Sequence, residues 1–207
     1  MKKIRVSKKF IYLISPPKID IKNFFYQLED VFKTKKISFF QLRLKKTPKK
    51  KILYIGKKVV GLCKKYDVKF IINDDPYLAK QINSDGCHIG QKDMCIHKVR
   101  KILDNKIVGI TCHNSKKLIK KAIQDKVDYI AIGSFYSSKT KKTKFKANVK
   151  LLKAAKKMTK IPIVAIGGIN LKNYKKLLLN KANFLAISGY IWNNKKLKPI
   201  EAIEKLK

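Results

Sequence analysis

Gln41, Arg43 and Lys45 follow an apolar run at every second position. In extended backbone that spacing puts the three side chains on one side. A glutamine and two cations converging there suit a diphosphate: Arg43 can grip oxygens bidentately and Lys45 supplies a point charge. Lys45 also reads as one more surface lysine among dozens, but Arg43 does not, because Arg5, Arg43 and Arg100 are the only arginines. Acidic residues are scarce, 13 in 207, yet Asp74, Asp75, Asp85 and Asp93 crowd one window. Two carboxylates at adjacent strand ends can hold Mg2+, which takes one or two carboxylates plus substrate phosphates. Asp74 and Asp93 are the candidates, whereas Asp75 before Pro76 reads as a helix cap.

Further candidates follow later apolar runs. Thr111 and His113 could face a site, although a lone histidine is usually structural. The segment Gly133-Ser134-Phe135-Tyr136-Ser137-Ser138-Lys139-Thr140-Lys141 offers hydroxyls and lysines on a glycine-started loop, able to bind an anion or equally to be a disordered basic loop. Gly167-Gly168 and Ile187-Ser188-Gly189 fit a phosphate site built from backbone N–H groups.

These residues share a position: each lies just past an apolar run. The runs cover 10–15, 37–42, 69–73, 86–89, 107–112, 129–133, 161–166 and 184–188. They are short and rich in β-branched or aromatic residues, as in strands buried on both faces. Lysine-rich stretches with helical spacing separate most of them, such as Ile52, Ile55, Val59, Val60 and Cys63. Strands alternating with helices predict a parallel sheet, and eight such units predict closure into a (β/α)8 barrel occupying 1–207 as a single domain, with its site at the C-terminal strand ends. The basic stretch 139–150 is expected to be a loop.

No apolar run approaches the roughly 20 residues of a membrane span, and the first run lacks a signal-peptide core and cleavage site. A cytoplasmic protein is expected. Cys63, Cys87, Cys95 and Cys112 match no structural zinc spacing, and Cys87 and Cys112 read as small buried hydrophobes. The formal net charge of +38 suggests attraction to polyanions. Against nucleic-acid binding, all but three of the 51 basic residues are lysine and they are spread along the whole chain, whereas base and phosphate recognition favours arginine. The charge reads as background on solvated faces that favours anionic substrates.

Together the segments resemble the thiamine phosphate synthase family, in order from Gln41 to Ile169: Q-L-R-x-K, I-I-N-D, D-G-x-H-x-G-Q-x-D, a G-x-S/T-x-H segment, a T-x-T-K loop and A-I-G-G-I, with an I-S pair beyond. The loop departs from the pattern by reading S-x-T-K, which keeps a hydroxyl at Ser138, and Ser134 and Ser137 stand where prolines are common. The resemblance implies a barrel enzyme that joins a pyrimidine diphosphate to a thiazole phosphate. It places Gln41, Arg43, Lys45, Asn73, Thr111 and Lys141 on the first substrate and Asp74 and Asp93 on Mg2+. Ser138, Thr140, Gly168, Ile187 and Ser188 fall on the second. Arg43 and Lys141 are the implied catalytic cations, stabilising the departing diphosphate in a dissociative substitution. A homo-oligomer is compatible with the sequence.

Two other readings compete. A thiazole tautomerase of the same superfamily would use His113 as acid and base, but it binds no diphosphate and should lack the set Arg43, Lys45, Asn73, Asp74, Asp93 and Lys141. A basic nucleic-acid-binding protein would show steep, salt-dependent affinity for nucleic acid, which the motifs do not require.

Overall fold

In a computed structural model, which describes residues 9–138 and 144–207, eight parallel strands close into a barrel in sequence order, β1 to β8. They are β1 (Ile11–Ile14), β2 (Ile37–Leu42), β3 (Lys69–Asn73), β4 (Gly86–Ile89), β5 (Ile107–His113), β6 (Tyr129–Gly133), β7 (Ile163–Ile166) and β8 (Phe184–Ile187). β8 closes on β1 with Tyr12 opposite Ala186 and Leu13 opposite Ile187. The expected (β/α)8 architecture is the one observed. The seventh strand starts at Ile163, two residues later than its apolar run, after Pro162, which has no N–H to give a ladder.

Alternation divides each strand between two cores. Ile11, Leu13, Phe40, Leu42, Phe70 and Ile72 point outward to the helices. Tyr12, Ile14, Phe39, Ile71, Tyr129, Val164 and Phe184 fill the lumen. The rings there interlock, Phe39 lying 5.3 Å from Tyr12 and 5.1 Å from Phe184 between centroids.

The helices present one apolar stripe each. Phe24, Leu28, Val31 and Phe32 bury one face of α1 (Ile21–Lys33), and Ile55, Val59 and Cys63 do so for α2 (Lys49–Lys65). Each fully buried aliphatic chain of this kind contributes about 1.5–3 kcal/mol. Local caps set the starts. Asp75 accepts from Leu78 N–H at 3.0 Å, ahead of α3 (Pro76–Ile82), as the Asp-Pro pair implies. Ser115 does the same for α5 (Lys116–Gln124) and Asn148 for α6 (Val149–Met158). The Asn148 cap corrects the expected loop 139–150: Val149 and Lys150 are already helical. Further helices are α4 (Ile96–Leu103), α7 (Tyr174–Leu179), α8 (Gly189–Trp192) and α9 (Pro199–Glu204).

Candidate active site

The C-terminal ends of the strands assemble a polar rim. Gln41 is the penultimate residue of β2 and turns into the lumen, 3% exposed, while Leu42 and Leu44 alternate outward into the helical core. Arg43 is held by its backbone, whose N–H donates to Ser15 Oγ at 3.0 Å. Burial pushes the Arg43 guanidinium below its ordinary pKa, with nearby Asp74 opposing, so it is a partly desolvated cation facing the rim. Lys45 Nζ lies 2.9 Å from Asp74 Oδ2.

Asp74 gains that position from its backbone. Its φ is +65°, a left-handed value unusual outside glycine, although aspartate tolerates it better than most. Its N–H donates to His88 O at 2.8 Å, which fixes the turn. Asp93 is anchored by Gly90 N–H, which donates to Oδ2 at 2.7 Å. Partial desolvation raises the Asp93 pKa. The Gly90 N–H opposes it, Asp74 within hydrogen-bonding reach raises it further, and Lys45 pulls it down. Two carboxylates within hydrogen-bonding reach of one another, with a lysine beside them, are oxygen donors of the kind a hard divalent cation could take. No cluster of three or more His, Cys, Asp or Glu side chains suited to a metal occurs among the described residues. Asp85 takes no part. Its Oδ2 accepts from Phe70 N–H at 2.9 Å, near the start of β3 and at the other end of the barrel.

Beneath the rim runs a buried polar chain. Gln41 Nε2 donates to Tyr12 Oη at 3.0 Å, and Tyr12 Oη lies 2.8 Å from Tyr129 Oη. Tyr129 Oη is 2.9 Å from His88 Nδ1, and His88 Nε2 is 2.8 Å from Thr111 Oγ1. Thr111 is also fixed through its carbonyl, which accepts from Gln91 Nε2. Sequence reasoning missed Tyr12, His88 and Tyr129. The available signal was a tyrosine within each of two lumen-filling strands, because a buried phenol needs a partner for its hydroxyl. His113 follows a bulge between Thr111 and His113 and stacks on Phe145, with ring centroids 4.0 Å apart, at the stem of the loop after β6.

Opposite lies the loop that follows β6. Phe135 N–H donates to Ile166 O and Tyr136 N–H to Gly167 O, each at 3.1 Å, so the loop leans on the end of β7. Gly167 and Gly168 have φ of +109° and +61°. A Cβ at Gly168 would also collide with the Ser137 carbonyl, so glycine is required twice over. Ser138 ends the described part of the loop; Thr140 and Lys141 lie outside the described residues. Ile187 ends β8. Ser188 precedes the short helix α8, and its Oγ donates to Ser15 O at 3.1 Å. Asn73 ends β3 opposite His88 of β4. Gln41, Arg43, Lys45, Asn73, Asp74, Asp93, Thr111, Ser138, Gly168, Ile187 and Ser188 therefore all sit at one end of the barrel.

Of the cysteines, Cys63, Cys87 and Cys112 are buried, and burial pushes the Cys112 thiol up to about 12. No described helix is long and apolar enough to cross a membrane.

The profile described as thiamine monophosphate synthase matches residues 11–191. The thiamine-phosphate synthase of Pelagibacter ubique is 64% identical over 207 residues, covering 100% of both chains. That of Rhodospirillum centenum is 37% identical over 185 residues, covering 89% of each. The solved thiamine phosphate pyrophosphorylase from Pyrococcus furiosus superposes with a TM-score of 0.85 at 25% identity, covering 97% of this chain and 95% of that one.

Proposed function

We infer that this chain, which belongs to the thiamine monophosphate synthase family, is a transferase that joins a pyrimidine carrying a methylene diphosphate to a thiazole phosphate, forming a C–N bond and releasing diphosphate. The observation that carries the site assignment is the pairing of Lys45 with Asp74 at 2.9 Å, with Asp93 alongside and Arg43 on the same strand end. Cations for a leaving group and acids for its counter-ion converge there.

Gln41, Asn73 and Thr111 would orient the pyrimidine, and Arg43, Lys45 and, on the family resemblance, Lys141 would grip its diphosphate. Asp74 and Asp93 would hold Mg2+, which when bound would neutralise charge on the leaving diphosphate. The bond from the methylene carbon to diphosphate oxygen breaks first, its electron pair leaving on oxygen, where Arg43 and Lys141 meet the growing charge. The aminopyrimidine ring spreads the resulting positive charge. The thiazole nitrogen lone pair then forms the new C–N bond. Ser138, Thr140 and the backbone at Gly168, Ile187 and Ser188 would hold the thiazole phosphate in line. No side-chain nucleophile is needed. The free cysteines agree with a reducing, cytoplasmic setting.

The test is direct. Purified protein given both substrates should release diphosphate only when Mg2+ is present, and chelation should stop it. Absence of diphosphate release under those conditions would reject the assignment.

A further inference from the structure

Ser15 stands where β1 stops, between the ends of β2 and β8, and is only 2% exposed. Its backbone N–H donates to Gln41 O at 2.9 Å, which continues the ladder set by Ile14 opposite Gln41. In a regular parallel ladder the next bond would run from Arg43 N–H to the Ser15 carbonyl. Instead Arg43 N–H donates to Ser15 Oγ at 3.0 Å, and the Ser15 carbonyl accepts from Ser188 Oγ at 3.1 Å. The bond after that would come from residue 17, but Pro17 has no N–H to give. The Ser15 hydroxyl stands in there too, with Oγ 3.5 Å from Arg43 O.

One buried residue therefore clasps the backbone of Arg43 on one side and the side chain of Ser188 on the other. Arg43 lies one residue beyond β2 and Ser188 one residue beyond β8. Past the strand ends, where ladder bonds stop, the position of each backbone depends on such individual contacts. The start of the Arg43 side chain moves with its Cα, so the clasp on its N–H helps to aim the guanidinium. The same strand end also holds α8, because Trp192 Nε1 donates to Ile14 O at 2.7 Å. In the proposed reaction Arg43 meets the diphosphate, and the backbone at Ser188 meets the thiazole phosphate.

We propose that Ser15 is a positioning residue that sets the spacing between the two anion subsites, holding Arg43 through its hydroxyl and Ser188 through its carbonyl. The proposal rests on the reading of Arg43 and Ser188 as substrate-binding positions. The two clasps use different atoms, so each can be cut alone. Ser15→Ala removes the hydroxyl that holds Arg43 and keeps the carbonyl that holds Ser188. Ser188→Ala removes the donor to that carbonyl and leaves the contact between Ser15 and Arg43 in place. A serine that merely ended a strand would cost stability when replaced, with no preference for one substrate and no dependence on the Arg43 guanidinium.

The experiment has two arms on the full chain. Titration calorimetry measures the binding of inorganic diphosphate with Mg2+ to wild type, Ser15→Ala, Arg43→Met and the double variant. Diphosphate release gives KM for each substrate in wild type, Ser15→Ala and Ser188→Ala. Ser15→Ala should weaken diphosphate binding and raise KM for the pyrimidine diphosphate by about tenfold, the scale of one hydrogen bond. KM for the thiazole phosphate should rise less, and Ser188→Ala should show the reverse order. Because Ser15 acts through Arg43, Ser15→Ala should weaken diphosphate binding no further in the Arg43→Met background. Equal losses in both backgrounds, or the same change in KM for both substrates, would overturn the proposal. Should Ser15→Ala fail to fold, Ser15→Cys keeps a weaker acceptor and should move the same values in the same direction by less. A wild type that releases no diphosphate rejects the enzymatic reading instead, and the inorganic diphosphate titrations still decide whether Ser15 acts through Arg43.

Discussion

Lys45 and Asp74 meet at 2.9 Å from the ends of neighbouring strands, and both remain solvent-accessible, with side-chain exposures of 52% and 29%. An ion pair this wet contributes little to stability, so each partner is readily redirected when substrate arrives. Replacing Lys45 by Met should leave the melting temperature nearly unchanged. It should lower kcat/KM for the pyrimidine diphosphate by about 10- to 100-fold, the scale of a lost charge-assisted hydrogen bond. Thermal melts and steady-state kinetics on one preparation check both halves. A large drop in melting temperature would make Lys45 a structural residue.

Asp93 carries the opposite tension. Partial desolvation and the facing Asp74 raise its pKa in the folded protein, against the pull of Gly90 N–H and Lys45. The folded state then holds that proton more tightly than the unfolded chain does. The stabilisation is complete below the unfolded carboxylate pKa and is lost as pH rises through the higher folded value. Asp93→Asn keeps an acceptor for Gly90 N–H but has nothing to ionise. Its melting temperature without metal should exceed that of wild type by a gap that opens above about pH 4 and is constant by neutrality. The gap should be about a degree or two, because solvent screens the site. Mg2+ should raise the melting temperature of wild type and not of the variant, and the variant should lose most of its synthase activity. Equal melting curves at every pH would show that the carboxylates do not strain one another.

The two kinds of prediction differ in how legible their residues were. Asp74 and Asp93 stood out because acids are scarce, and Gln41, Arg43 and Lys45 because period-two spacing fixes a common side; both signals are local. The eight strands were legible to within two residues for the same reason, since double burial shows in short apolar runs. The polar run through Tyr12, Tyr129 and His88 was not legible, because its hydrogen bonds cross 23 to 117 positions of sequence and depend on which lumen layer each strand contributes. Local periodicity says that Tyr12 faces inward or outward, but not what it meets. The start of α6 was hidden in a lysine-rich stretch, where Asn148 gives the one capping signal.

Two glycines separate packing from propensity. A Cβ at Gly109 would overlap the Tyr129 ring, whereas one at Gly61 on α2 would meet nothing within 4 Å. Gly109→Ala should cost about 1–3 kcal/mol of overpacking, seen as a melting temperature lower by about 2–10 °C. Gly61→Ala should raise it by about 1–3 °C, because alanine loses less backbone entropy in a helix. Finding the same sign for both would contradict the packing described.

At Gly168 the expected defect is substrate-specific. Alanine there must adopt a φ of +61° and push back the Ser137 carbonyl, displacing the loop after β6 from the end of β7. Gly168→Ala should raise KM for the thiazole phosphate by tenfold or more, on the order of the 1–3 kcal/mol stored in such backbone strain. Binding of the pyrimidine diphosphate, to which that loop would contribute Lys141 alone, should fall by a smaller factor. Titration calorimetry with each substrate alone distinguishes the two, and a loss shared equally would move Gly168 out of the thiazole phosphate site.

The net charge of +38 leads to a last prediction, about rate. Both substrates are multiply charged anions, and a strongly positive surface concentrates anions near a cleft and speeds encounter. That field is screened over about 10 Å at 0.1 M salt, whereas Arg43 and Lys45 at the rim would act at contact distance and be screened less. Raising KCl from low to near-physiological strength should therefore lower kcat/KM for both substrates by about tenfold, with kcat moving far less. Uncharged osmolytes at matched osmolarity should have no such effect. If kcat/KM proved indifferent to salt, the lysines would be a solvated background with no part in substrate capture, and the rim alone would have to account for affinity.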